Sequence, residues 1–553
     1  MRIQTALTLL LLLTTSSLFS QTEPGKYLVF FSDKENTPYS IFQPEQFLSE
    51  RAIERRERHD IEITELDLPV DPNYLGQLEA ISGVEIVHHS KWFNAATIAT
   101  DQSGLDAALE LPFVVSYKMV VSDETQDGLN DKFAIQPSNR SSQTAWPESD
   151  YGPSFNQIAM HNGHLLHDAG YRGEGMHIAV LDAGFTEVNN LSVFDNLYEE
   201  NRLLGSRDFV DGDNDVYHGS SHGTHVLSTM AGFLTDSIIG TAPKASYYLM
   251  RTENSVSEYV TEEDNWVVAA EYADSLGVDI INSSLGYSTF DDTTQNHTYS
   301  DMDGNTTRIS RAADIAASRG ILVVTSAGNS GSSSWHYITA PADADSALTV
   351  GAVTADSTHI FFSSFGPSSD GRVKPNLMAQ GYLSVICNFD GGVQTGNGTS
   401  FSSPILAGVA ACLWQAHYQQ NNMTILGALE ESATHFTNPN DSVGFGIPNA
   451  WMAHENLPND TSVPDFGVDE SVSVFPNPFE EQFQVALKWE NSHSIEVEFF
   501  DFSGRKVLME TSHECLPGDV SRISIDGSKL PTGTFLVRVK SDSETFVTKV
   551  LKR

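Results

Sequence analysis

Apolar positions along the chain fall into three textures, each implying a different kind of unit. From Lys26 the run KYLVFF reads as a strand, and PEQFLSERAIERRERH (Pro44 to His59) reads as an amphipathic helix. GVEIVHHSKWFNAATIAT then gives paired strands, GLDAALEL a short helix and FVVSYKMV a closing strand, so residues 21–121 predict a small α+β unit. The polar, Ser-rich residues 122–150 read as a linker. Over residues 151–454 nearly continuous apolar strands, HIAVLD, SYYLM, VDIINSS and GILVVTSAG, alternate with helical stretches such as EEDNWVVAAEYADSLG and ISRAADIAASRG. Strands that are apolar on both faces predict an α/β domain with a doubly wound parallel sheet covered on both sides. Functional groups then belong at the carboxyl ends of its strands. Residues 455–470 form a second linker. In residues 471–553 the runs FQVALKW, IEVEFFD, TFLVRVK and TFVTKVL, parted by turn residues such as Ser503 and Gly504, predict a small antiparallel β-sandwich.

Residues 1–20 carry Arg2, an apolar run through Leu13 and then small polar residues, the pattern of a secretory signal peptide too short for a membrane anchor. The mature protein is therefore expected outside the cytoplasm. Charge narrows its partners: 73 acidic against 31 basic residues give a formal net of -42, which repels nucleic acid and anionic lipid and leaves carboxylates for hard cations. Three cysteines, Cys387, Cys412 and Cys515, do not make a disulfide framework, and Cys412 inside an apolar run reads as a small buried hydrophobe.

The chemistry concentrates in the α/β region. HIAVLDAGF delivers Asp182 at a strand's carboxyl end, HGSSHGTHVLSTMAG places His222 before a helix, and GTSFSSP places Ser400 before another. An acid, a base and a hydroxyl at the ends of elements are what nucleophilic acyl transfer needs. In the order Asp, His, Ser, the segments DAGF, SHGTHV, SAGNSG and GTSFSSP resemble the subtilisin family of serine proteases. That resemblance implies Asp182 as the orienting carboxylate, His222 as general base and acid, Ser400 as nucleophile and Asn329 as an oxyanion-hole amide. It also implies that Ser284, Leu285 and Gly286, with Ser326, Ala327 and Gly328, form the edge and pocket that take an extended peptide by strand addition. Two departures stand out. Ala183 replaces the usual Ser or Thr after the acid, so one hydrogen bond to the carboxylate is expected to be missing, and Phe401 and Ser402 replace the more usual Met and Ala. In a helix starting near Thr399, Ser402 and Ser403 turn away from the mouth and are expected to pack or hydrogen-bond.

Other readings compete at several residues. His218, His222 and His225 have a spacing that zinc could use, but the stretch lacks the glutamate of HExxH. DFVDGDND, with Asp208, Asp211, Asp213 and Asp215, has the alternating carboxylates of a calcium loop, without the glutamate an EF-hand requires; DMDGN at Asp301 to Asn305 is a weaker example. The chemistry itself requires no cofactor, and calcium would be structural. The N-terminal unit resembles a subtilisin-type propeptide, which implies an intramolecular inhibitor. VFPNPFEEQFQV, VEFFDFSGRKV, LPTGTFLVRV and the terminal KVLKR resemble the sorting domain of the type IX secretion system, which implies outer-membrane export machinery as a partner. The whole is expected to be an autoprocessed endopeptidase precursor acting on proteins or peptides. The contrasting expectation is a catalytically silent surface adhesin that keeps the fold.

Overall fold

The computed structural model describes residues 25–121, 131–133 and 150–458, and in the C-terminal region 472–475, 482–488, 493–500, 506–515, 520–531, 533–540 and 545–552. The signal peptide, most of both linkers, and the turn at Ser503 and Gly504 lie outside the described residues. The chain divides into two units, one ending at Asn459 and the other beginning at Asp460.

Seven parallel strands form the central sheet of the first unit. Their spatial order is Leu377–Gln380, Leu348–Val353, Leu322–Ser326, Ile280–Ser283, His177–Asp182, Ser246–Arg251, Leu203–Asp208. Because strand side chains alternate between faces, the inner strands feed two cores. Ile178, Val180, Ile280, Val324 and Val350 pack with Leu406, Val409 and Leu413 on one side, whereas Ala179, Leu181, Ile281 and Val323 pack with Trp266, Ala270 and Ile309 on the other. The helix Thr399–Ala416 is buried from Thr399 through Trp414, which explains a run too evenly apolar for a surface helix.

The N-terminal unit is a four-stranded antiparallel sheet, in the order Glu85–Ser90, Ala95–Thr100, Gly25–Phe31, Val114–Val121. The helix expected over Pro44 to His59 is shorter and interrupted. A 3-10 turn spans Pro44–Gln46, and the helix runs Glu50–Arg58 because the Ser49 hydroxyl accepts from Ala52 N at 3.1 Å and opens it there. This unit docks on the helix Thr261–Leu276. Leu28, Trp92, Ala95 and Val120 join the second core, and Gly277 at the helix end lets the Ala52 backbone approach so closely that a Cβ would stand 2.6 Å from its nitrogen.

Buried acids on that helix hold the docked unit. Asp274 pairs with Arg55 at 2.6 Å, Arg56 at 2.8 Å and Lys91 at 3.1 Å, and Glu271 accepts from the backbone N–H groups of Lys91 and Trp92 at 2.8 and 3.0 Å.

In the C-terminal unit two antiparallel sheets are described: Val472–Phe475, Gln482–Lys488 and Val520–Asp526 in one, and Lys506–Cys515, His493–Phe500, Gly533–Lys540 and Thr545–Lys552 in the other. The Phe483 and Phe499 rings, one from each sheet, lie 5.4 Å apart centre to centre. Cys387 and Cys412 are buried free thiols, and Cys412 Sγ sits 3.2 Å from the Thr241 carbonyl. No helix among the described residues is long and apolar enough to cross a membrane.

Candidate active site

Asp182 ends the strand His177–Asp182 and His222 opens the helix His222–Ala231, so both stand at the carboxyl edge of the sheet. His222 Nδ1 and Asp182 Oδ1 are hydrogen-bonded at 2.8 Å in a buried setting. Burial alone would lower the imidazole, but the charge and hydrogen bond of Asp182 outweigh it, and His222 titrates above the ordinary 6.5. Asp182 Oδ1 also accepts from Ala183 N at 2.8 Å, while Oδ2 is buried with no partner among the described residues. Ala183, without a hydroxyl, contributes only its backbone N–H to the carboxylate.

Ser400 is the second residue of the helix Thr399–Ala416, where a backbone N–H has no acceptor within the helix. The Asn329 side-chain oxygen accepts from Thr399 N at 2.9 Å and Thr399 Oγ1 at 3.1 Å, which anchors its amide beside the helix mouth. A Cβ built on Gly398 would lie 3.6 Å from both Asn329 Nδ2 and Ser400 N, so these two donors flank a single point. With the helix dipole behind them, they can stabilise developing negative charge at that point.

The Ser400 hydroxyl donates to the Ser284 carbonyl at 3.3 Å, and no hydrogen bond joins Ser400 to His222 among the described residues. The Phe133 ring instead lies on the imidazole, 5.0 Å between centroids. Pro404 explains a further link. It has no N–H to offer the carbonyl four residues earlier, so Ser400 O is left to accept from Ser284 Oγ at 2.9 Å. Ser402 donates to Thr399 O and Ser403 to Asn282 Oδ1, both at 2.9 Å, and both are fully buried. Ser326 Oγ reaches Leu285 O at 3.4 Å, and Gly328 N donates to Thr399 Oγ1 at 3.2 Å. The two segments read as substrate-binding, Ser284 to Gly286 and Ser326 to Gly328, thus converge on the mouth of the Ser400 helix.

A subtilisin of Bacillus pumilus is 33% identical to this chain over 276 residues, a match that covers 88% of that protein and 49% of this chain. The chain belongs to the subtilase family. Residues 173–446 match the model of the Subtilase family, residues 26–137 that of the Peptidase S8 propeptide domain of Bacteroidota, and residues 473–553 that of the Secretion system C-terminal sorting domain. Subtilisin BL of Lederbergia lenta is 30% identical over 290 residues, covering 93% of that protein and 52% of this chain. Subtilisin NAT of Bacillus subtilis subsp. natto is 33% identical over 279 residues, and there the match spans 64% of the relative's length and 49% of this chain. The sorting domain marks this subtilase for export.

The residues read as metal ligands are only partly brought together: Asp208, Asp211 and His218 offer ligand atoms within 4.8 Å of one another. Of the four aspartates in the loop after Leu203–Asp208, only Asp208 and Asp211 come together, and the Arg251 guanidinium joins them at 2.7 and 2.6 Å. Asp213 and Asp215 accept instead from Asp215 N and Tyr217 N, closing their own turns. In DMDGN, Asp303 caps Asn305 N and Thr306 N, and Asp301 accepts from Thr298 N. The three histidines diverge: His222 turns to Asp182, His218 lies 3.5 Å from Asp208, and His225 stands 3.1 Å from Gln394 and edge-on to Phe389.

Sequence reading missed three residues at this site in the subtilase. Gly398 lies in a loop with several glycines and carries no mark of its own. Lys132 and Phe133 fall in a stretch whose polarity reads as linker, although both sit against the catalytic edge.

Proposed function

We propose that the chain is a secreted serine endopeptidase, made as a precursor that processes itself and acts on extended protein or peptide substrates. The reading rests on one observation: within a subtilase, a buried Asp182–His222 pair occurs together with Ser400 at a helix mouth where Asn329 Nδ2 and Ser400 N flank one point. His222 takes the Ser400 hydroxyl proton as the oxygen attacks the scissile carbonyl carbon. Asp182 holds the imidazole tautomer and balances the imidazolium, while the two N–H donors bind the oxyanion. On collapse the C–N bond breaks, and His222 returns the proton to the departing amine. Water, activated by the same imidazole, then releases the acyl group and restores Ser400.

Substrate would lie along Ser284 to Gly286, with Ser326 to Gly328 walling the pocket. Because the Leu285 side chain is buried, Leu285 would meet substrate through its backbone. Residues 21–121 would act as inhibitor and folding aid, residues 122–150 would contain the processing region, and residues 471–553 would engage the type IX outer-membrane machinery. The catalytic chemistry calls for no cofactor. A structural calcium at Asp208, Asp211, Asp213 and Asp215 is left out of this reading, because Arg251 already supplies the positive charge there.

The test compares wild type with Ser400→Ala for casein cleavage and loss of the N-terminal unit. Turnover should fall by about 10⁶-fold and the precursor should persist. An alanine variant that matures and digests as well as wild type would refute the assignment.

A further inference from the structure

The described segment Asp131 to Phe133 passes against His222, and its middle side chain enters an acidic pocket. Lys132 Nζ lies 2.7 Å from Glu258, 3.0 Å from Glu262 and 3.4 Å from Glu253, and donates to Ser257 O at 2.6 Å. Glu253 and Glu262 are almost fully buried, and both are held in place by other groups. Glu262 accepts from Asn254 N at 2.8 Å and Tyr259 N at 3.0 Å, and Glu253 accepts from the Tyr287 hydroxyl.

Burial alone would lower the Lys132 ammonium, but Glu262, Glu253 and Glu258 together outweigh it and hold it above its ordinary value. Burial pushes Glu258 up to about 7. Burial raises Glu253 and Glu262 too, and the Lys132 ammonium opposes that shift at all three, so without Lys132 the buried carboxyls must either take up protons or bind another cation.

The same segment is bound as a peptide. Lys132 N donates to Ser255 O at 2.8 Å, Asp131 accepts from Ser220 Oγ at 2.7 Å, and Phe133 lies on His222. A backbone bond beside the acids, and a neighbouring residue on the catalytic ring, are features that recognise a polypeptide and would be idle for a bare metal ion.

We infer that Glu253, Glu258 and Glu262 form a substrate subsite for a lysine or arginine side chain close to the scissile bond, and that Lys132 fills it in the precursor. The inference rests on the proteolytic reading and adds to it a preference for basic substrates.

The test uses the full chain after it has processed itself, with active enzyme counted by fluorophosphonate labelling of the nucleophile. Peptide substrates carry lysine or the neutral isostere norleucine at each of the four positions before the scissile bond. At one position lysine should be favoured in kcat/KM by about tenfold or more, and Glu258→Gln, at a side chain 26% exposed, should lower that ratio by about tenfold.

A ratio near one at every position, or a ratio unchanged by Glu258→Gln in labelled enzyme, overturns the subsite while leaving the protease intact. Calcium binding by calorimetry that depends on Glu258, together with a flat ratio, overturns it in favour of a metal site. Wild-type enzyme that neither labels nor cleaves overturns the proteolytic reading, and the subsite with it.

Discussion

At Gly398 the backbone takes φ +149°, and any side chain would project to the point shared by Asn329 Nδ2 and Ser400 N. Two costs coincide there: strain in the backbone and a methyl group 3.6 Å from both donors, crowding the space an oxyanion would use between them. Gly398→Ala is therefore expected to cut kcat by about 10²- to 10³-fold or more, comparable with loss of one oxyanion donor, while fluorophosphonate labelling slows in parallel. Full activity in a folded Gly398→Ala enzyme would show that the two donors do not act on one atom. The placing of Asp182, His222 and Ser400 at the ends of elements was legible from sequence, because strand and helix periods locate those ends. Gly398 was not, since its role lies in what it lacks and in a φ that the letters do not print. The orphaned Asp182 Oδ2 is an intermediate case: Ala183 announced a missing donor, and burial shows that no other described side chain replaces it.

The helix Thr261–Leu276 shows the same limit at the scale of an element. Its Glu262, Glu263, Asp264, Glu271 and Asp274 have the look of a solvated face, yet all are buried, because other parts of the chain bring cations or donors to each. Glu263 meets His297, Asp264 meets Arg308, Glu271 meets backbone N–H groups of the N-terminal unit, and Asp274 meets three basic side chains. Periodicity alone could not assign these faces, since a paired charge can be buried and an unpaired one cannot. Replacing Asp274 by Asn would leave Arg55 and Lys91 buried without their carboxylate. In the uncleaved Ser400→Ala background this should destabilise the docked form by about 3 kcal/mol, read as a lower unfolding midpoint. The propeptide-free enzyme should be much less affected, because those cations leave with the propeptide. Equal losses in both forms would mean that Asp274 serves the catalytic domain alone.

Across the whole molecule, a chain with net charge -42 holds its N-terminal unit by placing scarce basic residues, Arg51, Arg55, Arg56 and Lys91, against buried acids, and Lys132 holds the segment after that unit in the same way. Two histidines add a dependence on pH. His59 stacks on Trp414, and His88 bonds to Phe209 O at 2.6 Å; burial first, and nearby Arg58 and Lys26 after it, lower both to about 4. Both stay neutral when docked and return toward 6.5 when released. Their contribution to docking is full above pH 6.5 and is lost as pH falls toward 4, while Glu271, raised by burial, runs the other way as a single group against two. The cleaved propeptide should therefore leave more readily at pH 5 than at pH 7, with affinity falling by about tenfold for these half-buried rings, measured by gel filtration or inhibition. Affinity unchanged between those pH values, or a His88→Gln variant with the same pH response, would rule the histidines out. What local letters could carry was present in the sequence: strand and helix periods, the strand ends where chemistry sits, and an acid, a base and a hydroxyl of the types acyl transfer needs. The burial of acids on Thr261–Leu276, the pairing of Arg251 with Asp208 and Asp211, and the placing of the Lys132 segment beside His222 depend on groups 34 or more residues apart meeting in space. Electrostatic and hydrogen-bond partners act through distance in the fold, and separation along the chain does not encode it.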